Sequence, residues 1–523
     1  MGNGKVVAGA IAGFLLVAVA GVLLRPALPV DETRYLSVAW EMWLAGDYLV
    51  PTKNFALYTD KPPLLFWLIN LVWLFTGVSE IAARLVGPAA AATAIALVAR
   101  LAARLWPDDP DIGGRAALAL AGLLVFALSG GLTMFDAMLA VATLAGMLAL
   151  VRAVETGLRR WWVALGLAIA LGVITKGPVI LFHLGPAALL APVWGKALRE
   201  MPLREGLTGV GIALLSALAA VSLWVGPAAL LGGEDYRRAI LWTQSAGRMS
   251  QSFAHARPWW FYLAVFPALA FPWVFAPALL RGLARAAWSE AGLRLAAVWV
   301  LGAMLLFSAI SGKQIHYMVP ELAAIALIVA RVSRDVPRFT LFWAGIPLLV
   351  LAGLAIAVAA GLLPSEDVLQ LFDPPSRLLA WGLVMIAIVW LGVRTGGLRG
   401  GAVLTLGLVL SLNLLTGLSA AATLYETGRV ARMIAPHEGA GIALYGQTYH
   451  AEFNFTGRLT RPVATPDDEA ELQAWAQAHP QGVIIARPDR RAPGWSPRET
   501  LLFRNSSYGI WNVADAPSQE VEP

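Results

Sequence analysis

Residues 30–63 read VDETRYLSVAWEMWLAGDYLVPTKNFALYTDKPP, directly after a first apolar run at 6–24, and form the longest early stretch that is not apolar. The stretch opens on Asp31, Glu32 and Arg34 and closes on Asp60, Lys61, Pro62 and Pro63. Between these ends, SVAWEMWLAGDY mixes Val38, Trp40, Met42 and Trp43 with Glu41 and Asp47, the pattern of a short helix lying in a bilayer interface instead of crossing it. Charge this concentrated predicts that Asp31 and Lys61 face each other across a membrane-surface cleft and belong to an active site.

The composition around that stretch sets its context. Of 523 residues 58% are hydrophobic and 14% charged, and apolar runs recur over the first 420 or so positions. That is the composition of an all-α polytopic membrane protein. The net charge of +6 does not indicate nucleic acid, because Lys and Arg are scattered between apolar runs and form no stripe. The absence of cysteine excludes disulfides, thiolate metal sites and a Cys nucleophile. The first run, behind Lys5, is long for a signal-peptide core and lacks a small-x-small cleavage site, so it reads as a retained span.

Spans are expected at 6–24, 81–104, 114–130, 132–152, 161–175, 177–194, 207–231, 259–281, 292–310, 315–331, 338–361, 376–393 and 401–422, about 13 in all. The run from Pro62 to Gly77 is not counted, since 16 residues reach about 24 Å, short of the roughly 30 Å hydrocarbon core. With the N-terminus inside, every cytoplasmic loop is then basic, from Arg100, Arg104 and Arg115 through to Arg394 and Arg399. Counting 62–77 as a span would turn most of those loops outward.

The same parity puts the unusual polar residues on one face. The loop from Asp31 to Lys61, Asp136 in GGLTMFDAML, Lys176 in ITKGP, Arg248 and Arg257 in the loop 232–258, and Lys313 to Tyr317 in SGKQIHY all fall outside. Parts of one cleft must share a leaflet, whereas scattered structural charges need not. Asp136 stands out, because a carboxylate among Leu, Met, Phe and Ala costs a few kcal/mol unless paired or hydrated. His255 and His316 read as interfacial histidines, with no second ligand at metal spacing. No metal and no cofactor is expected. Carboxylates facing several cations at a bilayer surface suit displacement of a phosphate leaving group by a hydroxyl or phosphate, the cations holding the departing charge. The outer leaflet excludes nucleotide sugars and ATP as direct donors, and a lipid-linked donor fits.

DETRY after the first span, DKPPL some thirty residues on, TMFDAML, TKGP, HARPWWFY and SGKQIHYMVP together resemble the bacterial lipid A aminoarabinose transferases, the ArnT-like proteins. They also resemble the wider protein O-mannosyltransferase-like membrane glycosyltransferases of the GT-C fold, glycosyltransferase families 39 and 83. The likeness covers residues 6 to 331 in order and spacing. It implies a GT-C glycosyltransferase of the bacterial inner membrane. The donor would be a sugar on polyprenyl phosphate, undecaprenyl phosphate in type, and the acceptor lipid A or another periplasmic glycan, lipid or protein. It further implies Asp31 and Asp136 as catalytic positions and Lys61, Arg248, Lys313 and Tyr317 as donor-phosphate ligands. Glu32, Arg34, Lys176 and Arg257 are counted as substrate contacts. Asp60 departs from the family, which has Glu before the lysine. The sugar stays open between aminoarabinose, a hexose and a uronic acid.

Residues 1–422 are thus expected to form the transmembrane domain, with 31–80 its first periplasmic loop carrying juxtamembrane helices. From 423 to 523 alternating apolar strands surround the acidic helix DDEAELQAWAQAH, which predicts a small α/β periplasmic domain. A multi-pass transporter or flippase of a lipid-linked substrate is the alternative. It would place charges near the midplane and show repeated halves, whereas here the charges gather at one face and no repeat is evident.

Overall fold

The computed structural model describes residues 2–196, 200, 202–240, 256–504 and 506–517. The chain divides into two compact units. One comprises Met1–Leu24, Thr59–Leu65 and Arg84–Leu415, the other Arg25–Tyr58, Phe66–Ala83 and Thr416–Pro523.

The first unit is helical and membrane-spanning. Among the described residues eight helices are long and apolar enough to cross a bilayer, nine if one bent pair counts as a single span. Each of the thirteen expected stretches contains helix, but several are broken into pieces too short to cross alone, which lowers the count. The stretch 177–194 becomes Ile180–Leu189 and Ala191–Trp194 around Pro186 and Pro192, and 259–281 breaks near Pro272. Helices Ile112–Ala121 and Leu124–Gly130 meet at 73°. Broken backbone survives inside a bilayer only where neighbours satisfy its polar groups, and here they do. Thr405 Oγ1 donates to the Gly122 carbonyl at 2.7 Å, and the amide of Leu124 donates to Phe271 O at 3.2 Å. Trp273 Nε1 donates to Ala119 O at 3.0 Å.

Small residues let these helices approach closely. A Cβ on Gly87 would lie 2.1 Å from the Leu132 carbonyl, and one on Gly166 2.3 Å from that of Ala213. The second contact seats Arg159–Lys176 on Leu203–Leu231, a helix of 29 residues whose leucines 214, 215, 218, 223 and 230 remain exposed. Exposed leucines in such numbers are lipid-facing surface.

The second unit joins the early loop to the C-terminal residues. Its sheet has strands Ile442–Leu444 (β3), Val483–Ala486 (β4), Glu499–Phe503 (β5) and Ser506–Asn512 (β6) in the order β3-β4-β6-β5. Strands β3 and β4 run parallel with Ile442 opposite Val483, and β6 is antiparallel to both β4 and β5. Parallel neighbours need a crossover, and the chain between β3 and β4 includes helix Glu469–Ala478, capped by Asp468, which accepts from the Glu471 amide at 2.9 Å. Side chains alternate: Val483 and Ile485 enter one apolar cluster with Ile442 and Leu444, and Ile484 and Ala486 enter another with Trp511.

Helix Asp31–Ala45 belongs to this unit. Residues 35–42 are buried throughout. Ser37 Oγ donates to Ala451 O at 2.6 Å and Trp40 Nε1 to Leu459 O at 2.9 Å. Glu41 accepts from Thr52 Oγ1, the amides of Asn54 and Phe55, and Asn454 Nδ2, at 2.7, 2.7, 2.9 and 3.2 Å. It thereby ties the helix to the hairpin Thr52–Lys53 (β1) and Ala56–Leu57 (β2) and to the C-terminal part. Helix Leu64–Thr76 has only 13 residues, short of a span; its Trp73 stacks on Phe455 with centroids 5.6 Å apart.

Candidate active site

In the spanning unit the site is built where two antiparallel helices meet. Helix Phe135–Thr156 begins beside the end of Arg159–Lys176, so Asp136 in its first turn meets Lys176 in the last turn of its neighbour. The second helix stops there because Gly177 takes φ +81° and Pro178 follows. A carboxylate in a first turn and an ammonium in a last turn both suit the helix dipoles. Asp136 Oδ1 accepts from Lys176 Nζ at 2.6 Å, with Asp136 buried and the lysine side chain 14% exposed.

Two further segments complete this cluster. The Lys176 ammonium lies over the Tyr317 ring, 4.6 Å from its centroid, and the His316 ring stands edge-on to Tyr317 at 5.0 Å. His316 and Lys61 both act electrostatically on Asp136. The structure therefore brings Lys61, Asp136, Lys176 and Tyr317 together, and adds His316, which reads from the sequence as an interfacial histidine. One carboxylate holding several cations is a ready anion site: an incoming phosphate finds positive charge already assembled.

Lys313 is placed differently. Its ammonium donates to Arg257 O at 3.0 Å and to Ile310 O, and burial pushes it below its ordinary range. Arg257 contributes that carbonyl and its amide, which donates to Ser311 O at 3.1 Å, while its side chain is exposed. Arg248 lies outside the described residues, as does His255.

Asp31, Glu32 and Arg34 belong to the second unit. Asp31 Oδ1 accepts from Arg34 Nη2 and from Tyr35 OH at 3.2 Å, and its side chain is 47% exposed. Glu32 is buried and pairs with Arg25 at 2.5 Å while accepting from the Leu28 amide at 3.0 Å, a fastening of the entry to the helix. Arg34 packs its guanidinium on the Tyr35 ring at 5.3 Å. The sequence reading also missed His183 and Glu321, a fully buried pair 2.5 Å apart. Lone polar residues in long apolar runs, His183 in ILFHLGP and Glu321 in MVPELAA, were the available signal.

Among the described residues no group of three or more His, Asp or Glu could hold a metal ion. Residues 60–226 match the family described as dolichyl-phosphate-mannose-protein mannosyltransferase. The undecaprenyl phosphate-alpha-4-amino-4-deoxy-L-arabinose arabinosyl transferase of Pseudomonas aeruginosa (strain UCBPP-PA14) is 32% identical over 309 residues, 57% of this chain and 54% of that protein. The protein of the same description from Pectobacterium carotovorum is 29% identical over 424 residues, 78% of this chain and 74% of that one. The chain thus spans little more than half the length of the first of these relatives. The crystal structure of ArnT from Cupriavidus metallidurans bound to undecaprenyl phosphate superposes with a TM-score of 0.73, covering 98% of both chains at 19% identity. The chain has the ArnT fold. The resemblance carried by DETRY, DKPPL, TKGP and SGKQIHYMVP is borne out, and so is the reading as a helical membrane protein with a small sheet-containing C-terminal part. Within the ArnT fold, the cluster of Asp136, Lys176 and Tyr317 stands at one end of the spanning helices.

Proposed function

We propose that this protein is a membrane glycosyltransferase that moves a sugar from a polyprenyl-phosphate donor, undecaprenyl phosphate in type, to lipid A or another periplasmic acceptor. The observation that carries the reading is the buried Asp136 carboxylate paired with Lys176 beside Tyr317, with Lys61 and His316 acting on it, in a chain with the ArnT fold. The relatives' names supply the donor and the aminoarabinose class of sugar.

The reaction is an in-line displacement at the anomeric carbon. The bond from that carbon to the donor phosphate oxygen breaks as the bond to the acceptor oxygen forms, and polyprenyl phosphate leaves with the electron pair. Lys61, with Lys176 held in place by Asp136, steadies the growing phosphate charge, and the Tyr317 ring packs against the Lys176 ammonium. Arg248 and Lys313 are the remaining candidates for the phosphate. Asp31 has one oxygen engaged by Arg34 and Tyr35, which leaves the other to accept the proton of an acceptor hydroxyl. An acceptor that is itself a phosphate has no proton to give up, and there Asp31 orients it. The N-terminus faces the cytoplasm, and the reacting groups and residues 423–523 face the periplasm.

The test uses purified protein in detergent with phospholipid, radiolabelled undecaprenyl-phosphate sugars and lipid A as acceptor. Wild type should transfer label, and Asp31→Asn and Lys61→Ala should each fall by roughly a hundredfold or more while keeping the wild-type melting temperature. Transfer by Asp31→Asn at the wild-type rate would remove Asp31 from the chemistry.

A further inference from the structure

At the opposite end of the bundle lies a chamber the transfer reaction does not use. Helix Val86–Leu105 begins against Leu132, near Asp136, and ends where Arg104 Nε donates to Glu155 Oε2 at 2.7 Å, at the far end of helix Phe135–Thr156. Asp111 and Arg115 follow directly and border a cavity of about 870 Å³. Arg334, Arg338, Arg394 and Arg399 also line it, so five guanidiniums face one carboxylate. Asp109 neutralises only part of this charge, through Arg115 and Arg334. Among the described residues Arg338, Arg394 and Arg399 have no carboxylate partner, Arg394 resting instead on the Trp390 ring at 5.3 Å.

The chamber continues into a second cavity. A groove of about 460 Å³ runs between helices Asn3–Leu24 and Gly397–Gly417, lined by Gly9, Gly13, Ala402, Leu406 and Gly407. Val6, Leu118 and Arg399 border both cavities, so the apolar groove opens at its polar end onto the arginines. From Lys5 to Val17 it follows 12 helical steps, about 18 Å and so roughly the depth of one leaflet. Arginines that only fix topology need neither share one cavity nor have an apolar groove joined to it.

We propose that this pair of cavities binds one anionic phospholipid, its phosphodiester head group among Arg338, Arg394 and Arg399 and one acyl chain along the groove past Gly9 and Gly13. Basic pockets between spanning helices recognise acidic head groups by charge, guanidinium forks match phosphate oxygens, and the groove supplies the apolar contact a free phosphate cannot use.

Native mass spectrometry of the full chain released from detergent tests this, with dioleoyl phosphatidylglycerol or, at equal concentration, dioleoyl phosphatidylcholine. Wild type should retain one phosphatidylglycerol about tenfold better than phosphatidylcholine. The double variant Arg338→Gln, Arg399→Gln should lose that preference. Gly9→Leu, whose Cβ enters open space, should lower retention without changing the charge. Melting temperatures without lipid check that each variant is folded, and Gly9→Leu carries the test alone if the double variant melts early. Equal retention of the two lipids would overturn the proposal. So would wild-type retention by Gly9→Leu together with displacement by millimolar inorganic phosphate, the result expected of a site for free anions.

Discussion

Asp136 is held by Lys176, 2.6 Å away, and Lys61 and the His316 ring also act on it electrostatically. Breaking a buried pair by removing one partner typically costs about 3–5 kcal/mol, because the other charge stays buried and uncompensated. The two sides are unequal here. Lys176→Met leaves Asp136 with Lys61 and His316, whereas Asp136→Asn leaves cations facing one another. Asp136→Asn should therefore lower the melting temperature in detergent more than Lys176→Met does. Combining the two should recover part of the loss, a coupling that a double-mutant cycle reads directly. Equal and additive losses would mean the surrounding cations do not act through Asp136.

At the scale of elements, helix Asp31–Ala45 depends on Glu41, and a bent span depends on Thr405. Burial raises the Glu41 carboxyl above its ordinary 4.5 more than its hydrogen bonds lower it. The folded chain therefore keeps this proton at pH values where the unfolded chain has released it. The stability contributed by Glu41 is full below pH 4.5 and falls as pH rises through the folded-state value. Melting curves from pH 4 upward should show that decline in wild type and not in Glu41→Gln, which cannot ionise. Thr405→Val should cost about 1–3 kcal/mol by orphaning the Gly122 carbonyl, and Thr405→Ser should restore it. Much of this level was legible in the sequence, because apolar runs announce spans and thirteen stretches hold helix where expected. The bend at Gly122 was not, since it depends on Thr405, 283 residues away. Nor was the burial of residues 37–42, because local periodicity cannot report that Trp40 meets Leu459. Among the candidate residues, the company of Asp136 and Lys176 followed from their helix ends, while the capture of Lys313 by two carbonyls depended on loop geometry no spacing encodes.

For the whole molecule, the absence of cysteine makes orientation easy to read. A cysteine placed at exposed Arg159, beyond the far end of the helix that carries Asp136, should react with an impermeant maleimide only after the membrane is opened from the cytoplasmic side. One at exposed Asp489 should react from outside in intact spheroplasts. The reverse pattern would invert the proposed topology. The long helix Leu203–Leu231 brings in a different quantity, the thickness of the host membrane. Its uncharged part, 26 residues from Gly206 to Leu231, measures about 39 Å, against roughly 30 Å of hydrocarbon. Hydrophobic mismatch then makes the helix lean, or the bilayer swell around it. Helix Arg159–Lys176 rests on it through Gly166 and carries Lys176 at its tip, so acyl-chain length becomes a mechanical input that reaches the ammonium facing Asp136.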